Sequence, residues 1–184
     1  MKKETYESMI ATIKEQPLLA KGIPLCNNLI TKAIYIAYPC LLIYLLFFNP
    51  SLDFVIRYFF SSTFTDKNPW LWRAILVPAV SFVGLSVVRK IINAPRPYEK
   101  FDMPPVLEKD TKGKSFPSRH VFSIFLIGTT FYFCCPIPEI GILILILGVL
   151  LACLRVVSGV HFIKDVITGA LLGILMAELG FYLF

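Results

Sequence analysis

Four apolar stretches, each about long enough to cross a lipid bilayer, dominate this chain. They cover residues 28–48, 70–92, 140–158 and 162–184. A helix needs about 20 residues to cross roughly 30 Å of hydrocarbon, which admits only helices and closed barrels. Hydrophobic residues make up 57% of the chain, above the roughly 45–50% of ordinary globular domains. The sequence therefore predicts an all-α, polytopic transmembrane helical bundle.

Two further segments leave the number of spans at five or six. Residues 118–135 form a shorter apolar run with its charge at the start, and we interpret it as a fifth span. In residues 51–65 the apolar run is short, and Asp53 and Arg57 fall on one helix face. That pattern favours an interfacial or partly inserted helix, with a sixth span as the alternative.

The first 27 residues mix lysine with glutamate and lack the apolar core of a secretory signal peptide. An amphipathic helix on the membrane surface is the simplest interpretation. We therefore divide the chain into an N-terminal interfacial segment, residues 1–27, and a single transmembrane domain, residues 28–184. The polar motifs of that domain lie within residues 70–184, and we expect them to form a site at one membrane interface.

Both histidines of the chain stand in short polar clusters. His120 ends the cluster Pro117-Ser118-Arg119-His120, and His161 lies six residues after Arg155 and four before Asp165. On a helix, a spacing of four would place Asp165 beside His161, where it could accept the Nδ1–H and leave Nε2 free to attack phosphorus. Alternatively, the pair merely caps a helix.

A second group of residues is suited to binding an anion. Ser118, Arg119 and the neighbouring amides at a helix start would form an anion cradle, and His120 beside it could protonate a leaving oxygen. Taken alone, this cluster could be an ordinary helix cap, and each arginine could extend toward the interface without binding anything. The planar donors that match phosphoryl oxygens are Arg89, Arg96 and Arg155.

A proline-rich polar connection, residues 93–116, separates two of these clusters. Its prolines are expected to prevent a regular helix, and Ala94, which precedes a proline, should end the second span near Ile92. Loops of this length are usually functional or disordered. Because motif residues stand at both ends, we interpret this one as a structured lid over the site.

Read together, the motifs Arg89-x6-Arg96-Pro97, Pro117-Ser118-Arg119-His120 and Arg155-x5-His161-x3-Asp165 resemble those of the type 2 phosphatidic acid phosphatase superfamily, in its membrane lipid phosphatase branch. The resemblance covers about residues 70–184. It implies a metal-independent hydrolase without a cofactor, in which His161 forms a phosphohistidine, Asp165 orients it and His120 protonates the leaving group. The phosphate-binding residues it implies are Arg89, Arg96, Ser118, Arg119 and Arg155.

The chain departs from the family pattern at three positions. Arg89 stands where the first motif usually has lysine, and Lys90, one residue away, is a possible substitute for it. Arg119 replaces a common glycine and adds a possible contact to phosphate or head group. Leu154 replaces the serine that usually precedes the arginine of the third motif, which removes one hydroxyl contact.

The expected partners are a lipid phosphate substrate and membrane lipids. The lipid could be phosphatidylglycerophosphate, phosphatidic acid or a polyprenyl diphosphate, and the sequence does not choose among them or indicate an oligomeric state. The basic loop lies between membrane helices with few aromatic residues, which disfavours nucleic acid as a partner. The resemblance implies a bacterial inner membrane protein whose site faces the extracytoplasmic side.

Two other classes of protein could carry the same residues. His120, His161 and Asp165 could imitate a metal-binding triad, but clustered arginines repel cations, so no metal site is expected. A non-enzymatic small anion or proton-coupled transporter could also use membrane histidine, aspartate and arginine. The transporter is disfavoured because these residues lie at span ends rather than in mid-span.

Overall fold

A computed structural model describes residues 2–47, 69–109 and 111–183 of the chain. The described residues contain helices and no strand, which confirms the predicted all-α class. The predicted interfacial segment 51–65 lies outside the described residues. In chain order the helices are α1 (Lys3–Glu15), α2 (Pro17–Phe47), α3 (Pro69–Ile92), α4 (Pro97–Phe101), α5 (Arg119–Cys134), α6 (Pro138–Val157) and α7 (Ile163–Leu183).

Four of these helices, α2, α3, α6 and α7, are long and apolar enough to cross a membrane. They carry many exposed large apolar side chains, as expected for surfaces that face lipid. Helix α5 has only 16 residues, or about 24 Å at 1.5 Å per residue. Most of its side chains are buried because α5 lies in the centre of the bundle, with the other four helices around it.

Helices α5, α6 and α7, here called the central trio, approach one another at glycines. A Cβ atom on Gly169 would lie 2.8 Å from the Ser118 carbonyl oxygen, and one on Gly173 would lie 2.6 Å from that of Phe122. A Cβ atom on Gly141 of α6 would lie 2.5 Å from the Tyr132 nitrogen of α5. Small residues at these spacings let membrane helices pack backbone to backbone.

Helices α2 and α3, here called the lateral pair, pack on the remaining side of α5 and run antiparallel. The Tyr38 hydroxyl of α2 donates to the Ala74 carbonyl of α3 at 2.5 Å. The start of α2 and the end of α3 reach the same end of the bundle, because Asn27 hydrogen-bonds Arg155 and Arg89 hydrogen-bonds the loop before α5. We call this the functional end.

The first long helix begins earlier than the apolar pattern predicts. Helix α1 ends at Glu15, Gln16 is extended, and α2 then begins at Pro17 and continues through residue 28 without a break. Proline favours the first helical position because its fixed φ suits a helix start. The apolar pattern alone had placed this start later, because polar residues such as Lys21 and Asn27 interrupt the run.

The proline-rich connection folds over the functional end. Helix α3 ends at Ile92, as predicted, and the Ser115 amide donates to the Ala94 carbonyl at 2.9 Å. The expectation that prolines exclude a helix from this connection was wrong, because α4 begins at Pro97 in a first turn that tolerates proline. The Glu99 carboxylate then accepts the Gly113 amide at 2.6 Å. Below, the name lid is used only for residues 102–109, the part of the connection that follows α4.

Candidate active site

His161 lies in the turn that joins α6 to α7. The turn is made by Gly159, whose φ of +79° favours glycine, and the His161 amide donates to the Arg155 carbonyl at 3.2 Å. The sequence had suggested a helix for the whole pair, but only Asp165 lies in α7. The ring is 1% exposed, and its Nδ1 lies 3.5 Å from Asp165 Oδ2.

Asp165 Oδ2 collects further donors. It accepts the Ser115 hydroxyl at 2.5 Å and the Phe162 amide at 3.0 Å. The Ser115 oxygen also lies 3.4 Å from His161 Nδ1. The sequence motifs do not include Ser115, because a serine in a polar loop carries no signal of a contact 50 residues away. The geometry holds the carboxylate firmly against the imidazole.

The protonation state of His161 follows from its surroundings. Burial lowers the pKa of the imidazole, the bond to Asp165 opposes that shift, and nearby Arg155 and Arg96 lower the pKa further. The ring is therefore neutral near pH 7. With the Nδ1–H directed at Asp165, the lone pair of Nε2 is available to a substrate.

His120 lies in the first turn of α5 and contacts Arg155. The Arg155 guanidinium approaches His120 Nδ1 at 2.5 Å and donates its other Nη to Asn27 Oδ1 at 3.2 Å. A guanidinium only donates, so Nδ1 accepts and the ring proton is on Nε2. Asn27, which is buried, is absent from the sequence motifs, although a polar amide beside a predicted membrane span is a recognisable signal.

Arg89 and Arg96 are buried and hold the connection before α5 in place. Arg89 donates to the carbonyls of Lys114, Ser115 and Pro117. Arg96 donates to the carbonyls of Gly113 and Val160 at 3.1 and 3.2 Å. Both guanidinium groups therefore fasten the backbone around the site, and their contact with phosphate stays a prediction.

Lys90, the alternative to Arg89 in the first motif, lies on a different face of α3. Lys90 is exposed, whereas Arg89 is 7% exposed and reaches the site. Successive helical residues point about 100° apart, so only one of the two can face the site.

Ser118 is the N-cap residue of α5 and only partly matches the predicted anion cradle. Its amide is taken by the Asp165 carbonyl at 2.8 Å, which removes that donor from the cradle. Its buried hydroxyl makes no hydrogen bond within the described part of the chain. The amides of the following turn, which a helix leaves without intrahelical partners, point toward the same end.

Arg119 lies at the border of the site rather than inside it. Its guanidinium carbon is 5.6 Å from the centre of the Phe82 ring, and the side chain is exposed. Arg119 therefore joins the cationic cluster to the apolar surface of the lateral pair.

Lys109 of the lid is a site residue that the sequence did not reveal. Burial, together with the smaller effects of nearby Arg155, Arg96, Arg119 and Arg89, lowers the pKa of its amine to about 7. The side chain is half-buried above the arginine cluster. Its position depends on how the lid folds, which no local pattern around residue 109 predicts.

The balance of buried charge at this end favours an anion. Three arginines, Arg89, Arg96 and Arg155, are buried, against the single buried carboxylate of Asp165 among the described residues. Buried charges without counter-ions are costly. A phosphoryl group that enters the cluster would supply the missing negative charge.

Among the described residues, no three histidine, cysteine, aspartate or glutamate side chains converge to form a metal-binding group. In particular, His120 does not face Asp165, because its Nδ1 is directed at Arg155.

An apolar groove of about 730 Å³ opens beside the site, between the lateral pair and α5. Its walls are almost entirely aliphatic and aromatic, and Arg119 and His120 lie at its polar end. We call it the lateral groove. Residues from both sides line it, among them Tyr35, Tyr38, Ala79, Phe82 and Ile127.

Two solved structures share this architecture. Over 97% of this chain and 93% of its own, the crystal structure of Aquifex aeolicus LpxE superposes with a TM-score of 0.66 at 21% sequence identity. A transmembrane PAP2 type phosphatidylglycerolphosphate phosphatase from Bacillus subtilis does so over 98% and 83%, with a TM-score of 0.64 at 22% identity. At such identities the similarity shows the fold alone. No curated protein sequence matches the chain.

The sequence model of the PAP2 superfamily matches residues 70–184. This match covers more than half of the chain and includes all three polar motifs, and the membrane helices around them agree with the fold of the two solved structures. The chain therefore belongs to the PAP2 superfamily.

Proposed function

We propose that this protein is an integral membrane phosphatase that hydrolyses the terminal phosphate of a lipid through a phosphohistidine at His161. The observation that carries the proposal is the neutral, buried His161 near the buried Arg155 and Arg96, together with an apolar groove whose polar end is formed by His120 and Arg119. A neutral imidazole is a nucleophile, arginines neutralise phosphoryl oxygens, and the groove suits a hydrocarbon chain.

Phosphate binding would draw on the donors at the functional end. Arg155 and Arg96 would contact phosphoryl oxygens, as would the Ser118 hydroxyl and the first amides of α5. Arg89 would act mainly by holding the carbonyls of the α5 approach, to which it donates in the described structure. Arg119 and Lys109 at the rim would contact the remaining oxygens or the head group.

In the first chemical step His161 Nε2 attacks phosphorus and the bond from phosphorus to the lipid oxygen breaks. That oxygen takes a proton from His120. Because Arg155 donates to His120 Nδ1 in the described structure, a bound phosphate that attracts Arg155 would free Nδ1 to gain a proton. His120 would then be a cationic acid beside the leaving group, a role worth about 10²–10⁴ in rate.

In the second step a water molecule attacks the phosphohistidine. His120, now neutral, accepts a proton from that water, and the bond from phosphorus to His161 Nε2 breaks. Inorganic phosphate leaves and His161 returns to its neutral state. Asp165 stabilises the positive charge on the His161 ring during both steps.

Metal independence belongs to this proposal, because the groups that neutralise phosphate charge are arginines rather than carboxylate-bound cations. We expect full turnover of a lipid phosphate by purified protein in excess EDTA. Loss of turnover that Mg²⁺ or Zn²⁺ restores would contradict it. Anion flux into liposomes without hydrolysis would favour a transporter instead.

The substrate class that we propose is a lipid with a terminal phosphate, because the lateral groove ends at His120 and Arg119. Phosphatidylglycerophosphate, phosphatidic acid and polyprenyl diphosphate all fit this description. A phosphate-release panel of these lipids with protein in detergent would identify the preferred one. Equal rates for a lipid phosphate and a short soluble phosphate ester would argue against a role for the groove.

We propose a bacterial inner membrane location with the site on the extracytoplasmic side. Helix α1 contacts the lid, so the N-terminal helix and the site share one side, and an outward site requires an outward N-terminus. Cysteines at Glu4 and Lys112, both exposed, would test this in a Cys-free background. We expect both to react with a membrane-impermeant maleimide on intact cells, whereas labelling of both only after lysis would place the site inside.

A further inference from the structure

The N-terminal helix α1 lies against two segments of the functional end at once. Tyr6 and Ile10 are completely buried, although α1 lies outside the membrane-spanning helices. The Tyr6 ring packs 5.2 Å from the ring of Phe101 at the end of α4. Burial of an aromatic residue in a surface helix shows that α1 is docked on the protein and not merely on lipid.

The Tyr6 hydroxyl bridges the lid and the turn that carries His161. Its oxygen lies 3.2 Å from the Met103 carbonyl and 3.4 Å from the Gly159 carbonyl. Burial raises the pKa of Tyr6 to about 12, with a smaller contribution from Tyr98, so the hydroxyl keeps its proton and remains a donor. These two carbonyls are 56 residues apart in the chain, and α1 brings a single donor to both.

Gly159 makes this close approach possible. A Cβ atom there would lie 2.7 Å from the Tyr6 hydroxyl oxygen. Gly159 also has a φ of +79° and stands two residues before His161. Displacement of the Gly159 carbonyl would therefore be transmitted directly to the His161 backbone.

Other contacts join the same three segments. The Val106 amide of the lid donates to the Ser158 carbonyl at 3.0 Å, and the Lys14 amine donates to the Pro104 carbonyl at 2.9 Å. The rings of Phe101 and Phe162 meet edge to face at 6.1 Å. Helix α1, the end of α4, the lid and the turn before α7 therefore form one packed cluster.

We propose that Tyr6 is a positioning residue of the active site, whose hydroxyl fastens the lid to the turn that holds His161. The inference rests on the proposed function, and it concerns a residue outside the part of the chain that the family model matches. Catalytic groups must be held closely, since a displacement of about 1 Å can cost about 10²-fold in rate. Tyr6 would restrain the backbone just before His161, whereas Asp165 and Ser115 contact the His161 ring.

The test compares Tyr6→Phe, which removes only the hydroxyl, with Tyr182→Phe. Tyr182 is exposed near the end of α7, about 30 Å along the helix from the site. We expect Tyr6→Phe to lower kcat about 5- to 20-fold with KM within about twofold, because the phosphate-binding groups keep their partners. Tyr182→Phe should leave both constants unchanged.

Hydrogen exchange gives a second measurement that does not depend on activity. Without the hydroxyl, the amides of Val106 and of Gly159 to His161 should exchange at least about fivefold faster, because local opening becomes easier. Amides in the middle of α5 should exchange at the unchanged rate.

The two measurements separate the outcomes. A lower kcat together with faster exchange in these segments supports the proposal. Unchanged exchange overturns it, and so does faster exchange with unchanged kcat, since Tyr6 would then be structural only. If the wild-type protein releases no phosphate, the proposed function fails, and with it the positioning role of Tyr6 in that reaction, while exchange still shows whether the Tyr6 hydroxyl restrains the lid and the turn.

Discussion

The central trio and the lateral pair use apolar sequence in opposite ways. In the trio, glycines at positions such as Gly169 and Gly173 bring backbones so close that an added Cβ atom would approach carbonyl oxygens to 2.6–2.8 Å. In the lateral pair, a Cβ atom on Gly84 would meet nothing within 4 Å, and large side chains stand around an open groove.

The close packing of the trio and the open groove of the lateral pair suit different functions. His120, Arg155 and Asp165 lie on helices of the trio, where close packing limits movement, and His161 lies in the turn between two of them. The lateral pair contributes the groove, and among the described residues its Arg89 and Asn27 hydrogen-bond groups at the site. Under the proposed function, the trio performs the chemistry and the lateral pair accepts the lipid.

The sharpest test of the trio's task is to remove its two histidines separately. We expect His161→Ala to lower turnover by at least about 10³-fold and to abolish any acid-labile phosphoenzyme. His120→Ala should slow turnover about 10²–10⁴-fold yet still allow phosphorylation by an aryl phosphate, which has a good leaving group. Rapid quench would measure both, and equal phosphoenzyme in the wild type and His161→Ala would exclude His161 as nucleophile.

Substitution of Arg89 tests the contact between helix α3 of the lateral pair and the loop before α5. Its guanidinium holds three carbonyls before α5, so Arg89→Ala should lower kcat/KM about 100-fold by leaving these acceptors unpaired. The matched control Lys90→Ala, on an exposed side chain, should stay within about twofold. A reversed ranking in phosphate-release assays would show that Lys90 faces the phosphate.

The contrast in packing can be measured with two glycine substitutions. Gly173→Ala should destabilise the protein by about 1–3 kcal/mol, because its methyl group would overlap the Phe122 carbonyl. Gly84→Ala has open space and should be neutral or stabilising by up to about 1 kcal/mol. Thermal unfolding in detergent would measure the unfolding midpoint of both variants. Equal shifts in that midpoint would show that the trio is packed no more closely than the lateral pair.

Filling the lateral groove should affect only substrates with a long tail. Ala79→Trp places an indole in the groove and should lower kcat/KM for a long-chain lipid phosphate about tenfold. This factor corresponds to the loss of the binding free energy of roughly two buried methylene groups of the lipid tail. Turnover of an aryl phosphate should not change. Val80→Trp, at a neighbouring exposed position outside the groove lining, is the control. Equal losses for both substrates would point to a general disturbance.

The smallest expected effect concerns Lys109 in the lid. Its folded-state pKa of about 7 lies below the usual value for lysine, so the unfolded chain binds this proton more readily. Stability should therefore rise between about pH 7 and 10 as that advantage of the unfolded chain disappears. Lys109→Gln should flatten this rise in the unfolding midpoint and Lys112→Gln, at an exposed lid-side position, should not. Identical pH profiles would place Lys109 in solvent.

Some structural features could be predicted because their causes are local. Run lengths indicated the long spans, and the pair Ala94-Pro95 indicated where α3 ends. The apolar pattern does not predict the start of α2 at Pro17, because polar residues such as Asn27 interrupt it. In the fold, the Asn27 side chain is buried because it accepts a hydrogen bond from Arg155. Helix α4 was missed because a single turn begun by proline lies below the length that periodicity can detect.

For the site, the motifs predicted which chemical groups take part, whereas the arrangement of these groups depends on how the helices pack. The motifs and the family resemblance that they carry predicted two histidines, an aspartate, a serine and four arginines, with Lys90 as a possible addition. Only the fold brought Ser115 to Asp165, Asn27 to Arg155 and Tyr6 to Gly159. Each contact joins residues from 50 to 153 positions apart. Such contacts depend on which helices pack together and how closely. Local sequence propensity does not contain this information, because it reflects only residues that are near one another in the chain.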